Sequence, residues 1–507
     1  MPELCRQGDN TCNTRKVPII FVPGVMGTRL KFSRKKKKVA VTYYWDPDSK
    51  RKMAVWALMS AEAMRDALWF NRDAEVMLDY DGSDTKQEDR GWGGPAKSYY
   101  RDFLLFLEDL NSSLCATCPV YACGYDWRQS NKNSGSLLDS TIIAVLKKES
   151  AENFILITHS MGGLVTRSCL SRSNYASKCL GVIHIAQPAQ GAVKFYAMMY
   201  TGALLGVDTP GKSIGDRAFV KIQGDTAQSF ATILSGMPGP CELIPTNNYE
   251  APSKGPWLWD DRGPPSPPYG STPWRPPVFR WYLDPSSPPN VFWSLARVKS
   301  TPSPADDLKA RIQESELFHA ELGMWKHPNT WSIYSTDLET DTSTRFNGHS
   351  KTPHGVERVR TLSGDATVPA GSASSLLTPG QTSLDESGDE LLTKPWLRQV
   401  ELKDVEHGAA CNNVKVQTIV KTMLLLSLGC LQVADNDVGA DGTSEAVAQT
   451  DGSSRSAQDM PGAMANNAST TSPSNGTVAS NSDSVSSSDH PPDPSDWNTD
   501  DDNSAIA

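Results

Sequence analysis

In ILITHSMGGLVTR, residues 155–167, an apolar run meets a serine followed by paired glycines. A hydroxyl is a poor nucleophile until a base removes its proton as it attacks, and that base must be oriented by a third group. Ser160 stands where such chemistry could begin. Asn153 to Thr158 reads as a short buried strand and Met161 to Leu170 as the start of a helix. A serine on so sharp a strand-to-helix turn is pushed out of the sheet beside free N–H groups, which is the geometry of a nucleophile elbow. Thr158 departs from G-x-S-x-G, standing where the first glycine would be and adding bulk where strand and helix approach. Gly162 and Gly163 alone could equally end a strand and let a helix pack close, so the reading depends on partners for the serine.

In this arrangement the acid and the base follow the serine along the chain. Seven histidines do so: His184, His319, His327, His349, His354, His407 and His490. His184 lies inside a buried-looking strand and His490 in a polar tail, whereas His407 ends a strand-like run before Gly408, where a loop can swing it over the elbow. Asp365, in LSGDATVP, also ends a strand-like run, and Gly364 permits a tight turn there. A carboxylate so placed can accept the imidazole N–H and stabilise the imidazolium. Asp404 competes, but three residues from His407 it lies along the same strand and points elsewhere. The oxyanion needs two N–H donors. Met161, next to the nucleophile, supplies one. The loop VPGVMGTRL, residues 22–30, supplies the other: Pro23 stops a strand, Gly24 and Gly27 turn the backbone, and Val25 is the first choice of donor, with Met26 the second.

These residues need a scaffold that brings distant loops to one edge. Strand-like runs at Val17–Val22, Pro119–Tyr125, Asn153–Thr158 and Cys179–Ala186 alternate with helical patterns near Tyr99–Leu110, Leu137–Lys148 and Met161–Leu170. Such alternation predicts a mostly parallel sheet covered on both faces. Residues 191–345 interrupt it, and Ala251–Pro304 holds fourteen of the 35 prolines and five of the fourteen tryptophans: Trp257, Trp259, Trp274, Trp281 and Trp293. So many aromatic rings would be left wet in a plain loop, which predicts a cap or lid. VERVRTLSGD and WLRQVELKDVEHG resume the regular pattern. The expected organisation is an extension at 1–16, an α/β core at 17–190 and 346–433, a cap at 191–345 and a disordered tail at 434–507.

That tail carries thirteen acidic residues against one arginine, leaving the body near +3 although the whole chain is −9, so acidity says nothing of the body's partners. Its Ser, Asn and Asp cannot offset the entropy of ordering. Its sequons at Asn467 and Asn475 are of the kind that arise by chance in such composition. No signal peptide is visible in MPELCRQGDNTCNTRK, and VKVQTIVKTMLLLSLGCLQV, with Lys415 and Lys421 on helical spacing, reads as an amphipathic helix packed on the body. Cytoplasmic residence or a signal-independent export route is expected, with peripheral membrane contact compatible with either. Most of the ten cysteines are expected as thiols. Cys115, Cys118 and Cys123 invite zinc but lack an evident fourth ligand, so buried thiols are the better reading. No metal, cofactor or nucleic-acid partner is expected.

FVPGVMGTRL, GYDWRQS, ILITHSMGGLV, SGMPGPCELIP, SGDATVP and EHGAACNN resemble, in order, the motifs of the lecithin:cholesterol acyltransferase family, which includes phospholipid:diacylglycerol acyltransferases and lysosomal phospholipase A2. The likeness spans roughly residues 17–430 and resides in these short blocks. It implies an α/β-hydrolase fold, triad roles for Ser160, Asp365 and His407, and oxyanion donors at Val25 and Met161. Trp127 resembles a position near the acyl-chain entrance, with Asp126 and Arg128 fixing its loop, though a core aromatic beside a structural ion pair fits as well. Ala366 stands where the family's acid motif usually has glycine, and Cys241 where leucines usually follow. The run SRKKKKV, Ser33–Val39, reads either as an attractor of anionic headgroups or as a solvated loop.

The reading that results is a serine esterase acting on lipid or phospholipid acyl esters at a membrane surface, with water resolving the acyl-enzyme. A lipid O-acyltransferase would pass the acyl group to a hydroxyl instead; the difference lies in how the cap excludes water. A resemblance to inositol deacylases of lipid anchors, a secreted antibacterial lipase effector and a non-catalytic lipid-binding protein on a retained hydrolase fold are the remaining alternatives.

Overall fold

The computed structural model describes residues 15–36, 39–79, 85–246, 248–252, 257–260, 303–346, 356–378, 380–394 and 396–430. Strand β1 (Ile19–Val22) is IIFV, buried throughout. Side chains alternate across a strand, so Ile19 and Phe21 enter one core and Ile20 and Val22 the other. The chain then leaves for β2 (Leu30–Lys36), β3 (Val39–Trp45), α1 (Lys50–Leu58), α2 (Ala61–Ala67) and β4 (Ala74–Val76), whose strands form a small antiparallel sheet in the order β3-β2-β4. The basic run therefore lies in a hairpin, Ser33–Lys36 within β2 and Val39 opening β3, while Lys37 and Lys38 fall outside the described residues.

The expected alternation follows as α3 (Lys97–Asp109), β5 (Val120–Ala122), α4 (Asn131–Glu149), β6 (Phe154–His159), α5 (Gly162–Leu170) and β7 (Cys179–Ile185). Helix α4 begins earlier than its apolar period suggests because the Ser130 side chain accepts from the Lys132 N–H and caps it. Next come α6 (Val193–Thr201), α7 (Ile214–Gln223), α8 (Ala227–Leu234), β8 (Leu258–Asp260), α9 (Pro304–Leu322), β9 (Thr330–Ser335), β10 (Glu339–Phe346), β11 (Val356–Leu362), β12 (Thr382–Ser383), β13 (Gln399–Leu402) and α10 (Val414–Leu428). Seven strands form one parallel sheet in the order β12-β13-β9-β7-β6-β1-β5. Helices α3 and α10 cover one face and α4 and α5 the other. This is an α/β-hydrolase fold.

Two strands differ from the sequence reading. Strand β9, inside the segment expected to form the cap, pairs between β13 and β7 in the main sheet. Strand β11, expected to resume the core, pairs antiparallel with β10 in a second small sheet. Burial explains both: TWSIYS is buried along its whole length, whereas VERVRTL carries Glu357, Arg358 and Arg360, which a sheet covered on both faces could not take. Within the interruption Trp257 is buried, its ring edge-on to Tyr196. The side chain of Trp259, the residues Trp274, Trp281 and Trp293, and the tail with Asn467 and Asn475 lie outside the described residues.

Cys115 corrects the expectation of a buried thiol, for it is disulfide-bonded to Cys430 just past the end of α10. The partners are 315 residues apart, so no local spacing could have paired them. Cys118, Cys123, Cys169, Cys179, Cys241 and Cys411 are buried thiols. Helix α10 buries Val416, Ile419, Val420, Met423 and Leu424 against the sheet, as its period predicts. Among the described residues no helix is long and apolar enough to cross a membrane.

Candidate active site

Ser160 stands between β6 and α5 with φ +52°, a left-handed backbone that costs a non-glycine residue about 1–2 kcal/mol. Its N–H donates to the Ile185 carbonyl on β7 (2.9 Å), and its own carbonyl accepts from Gly163 N–H (3.0 Å), so both neighbours hold the turn. A Cβ on Gly162 would lie 2.5 Å from the Val22 carbonyl oxygen, and one on Gly163 2.4 Å from Gln187 Cγ. The paired glycines are thus demanded by close packing. Thr158 does not crowd the elbow: its hydroxyl is hydrogen-bonded to His184 Nδ1 (2.8 Å) across the β6–β7 pair. Burial depresses His184 to about 3, so that ring is a neutral core partner.

His407 Nε2 lies 2.9 Å from Ser160 Oγ, and His407 Nδ1 lies 2.8 Å from Asp365 Oδ2. An ionised carboxylate only accepts, so Nδ1 carries the proton and Nε2 is free to accept the serine O–H. Asp365 is held in turn: Oδ1 accepts from the N–H groups of Thr367 (3.0 Å) and Val368 (2.6 Å), and its carbonyl accepts from His407 N–H (2.9 Å). The acid arrives by an unexpected route. The β10–β11 hairpin leaves the end of β9 and returns, and Leu338 N–H donates to the Gly364 carbonyl to close the loop beside that strand (3.0 Å). Asp404, the competing acid, instead donates its N–H to Asp337 Oδ1 (2.9 Å).

The loop after β1 turns at Gly24–Gly27, where Gly27 N–H donates to the Gly24 carbonyl (3.1 Å) and Met26 takes φ +60°. Trp45 Nε1–H donates to the Met26 carbonyl (2.9 Å) and fixes the far side of the turn. Among the described residues the N–H groups of Val25 and Met161 donate to no protein acceptor. Gly24 lies against the serine, for a Cβ there would sit 2.9 Å from Ser160 Cβ.

Trp127 offers a substrate no surface in this structure. It is fully buried, donates Nε1–H to the Thr28 carbonyl (3.3 Å) and packs edge-on against Trp45, so it props the strand that leaves the turn. Arg128 forks onto Asp126 through Nε (2.8 Å) and Nη2 (2.7 Å) and also donates to the carbonyls of Trp69 and Arg72. The geometry of GYDWRQS is that of the second alternative, a core aromatic beside a structural ion pair. Cys241 fills space, with its thiol directed at the Leu234 carbonyl.

Two residues escaped the sequence reading. Tyr100, on α3, places its hydroxyl 3.1 Å from Gly24 N and 3.0 Å from His159 Nδ1, and His159 Nε2 lies 3.0 Å from the His407 carbonyl oxygen. The position of His159, one before the serine, was the only signal for it.

A parallel sheet that carries a serine on such an elbow defines a serine hydrolase or acyltransferase. The lecithin:cholesterol acyltransferase family model matches residues 114–238, which hold GYDWRQS and the elbow, and over that segment the chain is lecithin:cholesterol acyltransferase-like. No curated protein matches the chain. Among solved structures, a chain of the Tle4–Tli4 complex is similar at a TM-score of 0.61 and 19% identity, covering 83% of this chain and 100% of that one. The mature Bacillus licheniformis lipase BlEst2 shares 14% identity at a TM-score of 0.20, over 43% of this chain and 62% of its own, a likeness on which nothing here rests.

Proposed function

We propose that this chain is a serine esterase that cleaves acyl esters of lipids, with phospholipids the first candidates. The observation that carries the reading is the hydrogen-bonded run from Ser160 through His407 to Asp365 at the elbow. Ser160 Oγ attacks the ester carbonyl while His407 Nε2 takes its proton. Asp365 stabilises the imidazolium, and the N–H groups of Val25 and Met161 receive the oxyanion. His407 then returns the proton to the leaving alkoxide, and a water activated by the same imidazole releases the fatty acid. Trp127 acts as a support for the oxyanion turn. Helices α6 to α9 make up the described part of the cap.

A lipid surface as the place of action is supported by α1, which exposes Lys50, Arg51, Val55 and Leu58, the last 77% exposed. A helix with apolar and basic residues on its outer side suits the interface of an anionic bilayer. Transfer to an alcohol in place of water is the second reading, favoured by the family match at residues 114–238. Mass spectrometry of products from phospholipid vesicles, with and without a sterol or diacylglycerol, decides between them. Free fatty acid and lysolipid from wild type but not from Ser160→Ala are expected. Acylated acceptor without fatty acid would replace hydrolysis by transfer, and products from Ser160→Ala equal to wild type would overturn the site.

A further inference from the structure

Tyr100 and His159 take no part in the steps above, yet they join the two loops that those steps require. His159 is 5% exposed and Tyr100 4%. The Tyr100 ring packs against Phe21 and meets the His159 ring edge-on, 5.7 Å between centroids. Burial, and the neighbouring His407, depress His159 to about 3, so it is neutral at any working pH. Burial also raises the Tyr100 phenol, which stays protonated.

Hydrogen-bond chemistry then allows one assignment. The His407 carbonyl can only accept, so His159 Nε2 carries the proton and Nδ1 has the lone pair. Nδ1 therefore accepts the Tyr100 O–H, and the phenol oxygen accepts from Gly24 N–H. Every donor in the run points the same way, from the Gly24 N–H to the His407 carbonyl. The ends of the run matter. Gly24 precedes the oxyanion donor Val25 and is the residue whose Cα faces Ser160 Cβ; a Cβ on Gly24 would also lie 3.2 Å from His159 Nδ1. A Cβ on Gly27, at the other end of the same turn, would lie 2.8 Å from the Tyr100 hydroxyl. The opposite end holds the backbone of the base itself.

We propose that Tyr100 and His159 are positioning residues: a buried, one-directional hydrogen-bond run through them sets the spacing between the oxyanion turn at Gly24–Gly27 and the histidine loop at His407. The inference rests on the roles assigned above to Ser160 and His407. A tyrosine and a histidine that merely fill the core would contribute to stability but not to turnover. A displaced oxyanion donor lowers the rate of the chemical step, typically by about 100-fold or more when it is lost entirely, while ground-state binding of the acyl chain is left alone.

The test is steady-state hydrolysis of a short soluble ester by wild type, Tyr100→Phe, His159→Gln and His159→Phe, each checked for folding by thermal melt. In Tyr100→Phe, kcat should fall by about 10- to 100-fold with KM within about 2-fold. His159→Gln, whose amide can still donate to the His407 carbonyl, should retain more activity than His159→Phe. Folded variants with kcat within about 2-fold of wild type, or a loss confined to KM, would overturn the proposal. Should a variant not fold, nitrogen NMR of histidine-labelled wild type is the second measurement. It should find His159 neutral, with the proton on Nε2, from pH 5 to 8 as its depressed pKa requires; a proton on Nδ1 or a charged ring would sink the idea. Wild type that neither turns over esters nor is labelled at Ser160 by an organophosphonate would overturn the parent reading and this one with it. Labelling and turnover in wild type, with unaffected variants, would overturn this one alone.

Discussion

Gly24 shows how narrow the tolerance at the site is. Its missing side chain is the space that Ser160 occupies, and Gly24→Ala would push a methyl to 2.9 Å from Ser160 Cβ. The variant should fold, lose about 1–3 kcal/mol in a urea melt and drop ester turnover by at least about 100-fold. Ala366 makes the opposite case. It holds φ +70° directly after Asp365, and its N–H donates to Thr340 Oγ1 (2.9 Å). The family that the chain resembles usually has glycine here, and the left-handed backbone gives the reason. Ala366→Gly should raise stability by about 1 kcal/mol with turnover unchanged, measured by denaturant titration beside an esterase assay. At this scale Ser160, Asp365 and His407 were legible because each ends a strand-like run at a turn. Tyr100 was not, since a tyrosine inside an amphipathic helix carries no mark of where its hydroxyl goes.

Among the elements, the sheet strands and the helices that follow them were readable wherever a continuous apolar run or a helical period was intact. The hairpin β10–β11 was not: a strand with charged residues is identified by its period but not by the sheet it joins, and pairing partners distant in sequence leave no local sign. A second tie invisible in sequence joins GYDWRQS to SGMPGPCELIP. Buried Glu242 accepts from Ser130 Oγ (2.6 Å) and from the backbone and side-chain N–H groups of Asn131 (both 2.7 Å) at the start of α4. Burial raises its carboxyl to about 8 despite those donors. A raised carboxyl favours the folded state most below its unfolded value near 4.5 and loses that advantage as pH climbs to about 8. That contribution should therefore fall across the window, so the stability of wild type relative to Glu242→Gln should decrease between pH 5 and pH 8. A slope in the variant equal to that of wild type would show that the carboxyl is already ionised at pH 5.

For the whole molecule the buried imidazoles act in the opposite direction. His159 and His184 both fold with values depressed to about 3 from 6.5, so the unfolded chain binds protons that the folded one refuses. Their contribution is complete above pH 6.5 and is lost as pH falls towards 3. Together they can cost up to about 3 kcal/mol per pH unit in that range. In urea titrations from pH 4 to 7, wild type should gain stability relative to His184→Gln as pH rises, by up to about 1.4 kcal/mol per pH unit below pH 6.5.

The bond between Cys115 and Cys430 has a mechanical meaning as well. Seventy-seven residues follow Cys430, and anything that grips them, a tether or an unfoldase, pulls on a covalent staple before it can peel α10 from the sheet or tug the loop that carries His407. Tension between the chain ends crosses from Cys430 to Cys115 and runs on towards the N-terminus, so residues 116–429, with Ser160, Asp365 and His407, lie inside the covalent loop and bear none of it. In an optical trap the oxidised chain should lengthen only by residues outside that loop, whereas the reduced chain should lengthen by all of them. Full-length extension of the oxidised chain would show that the staple carries no load.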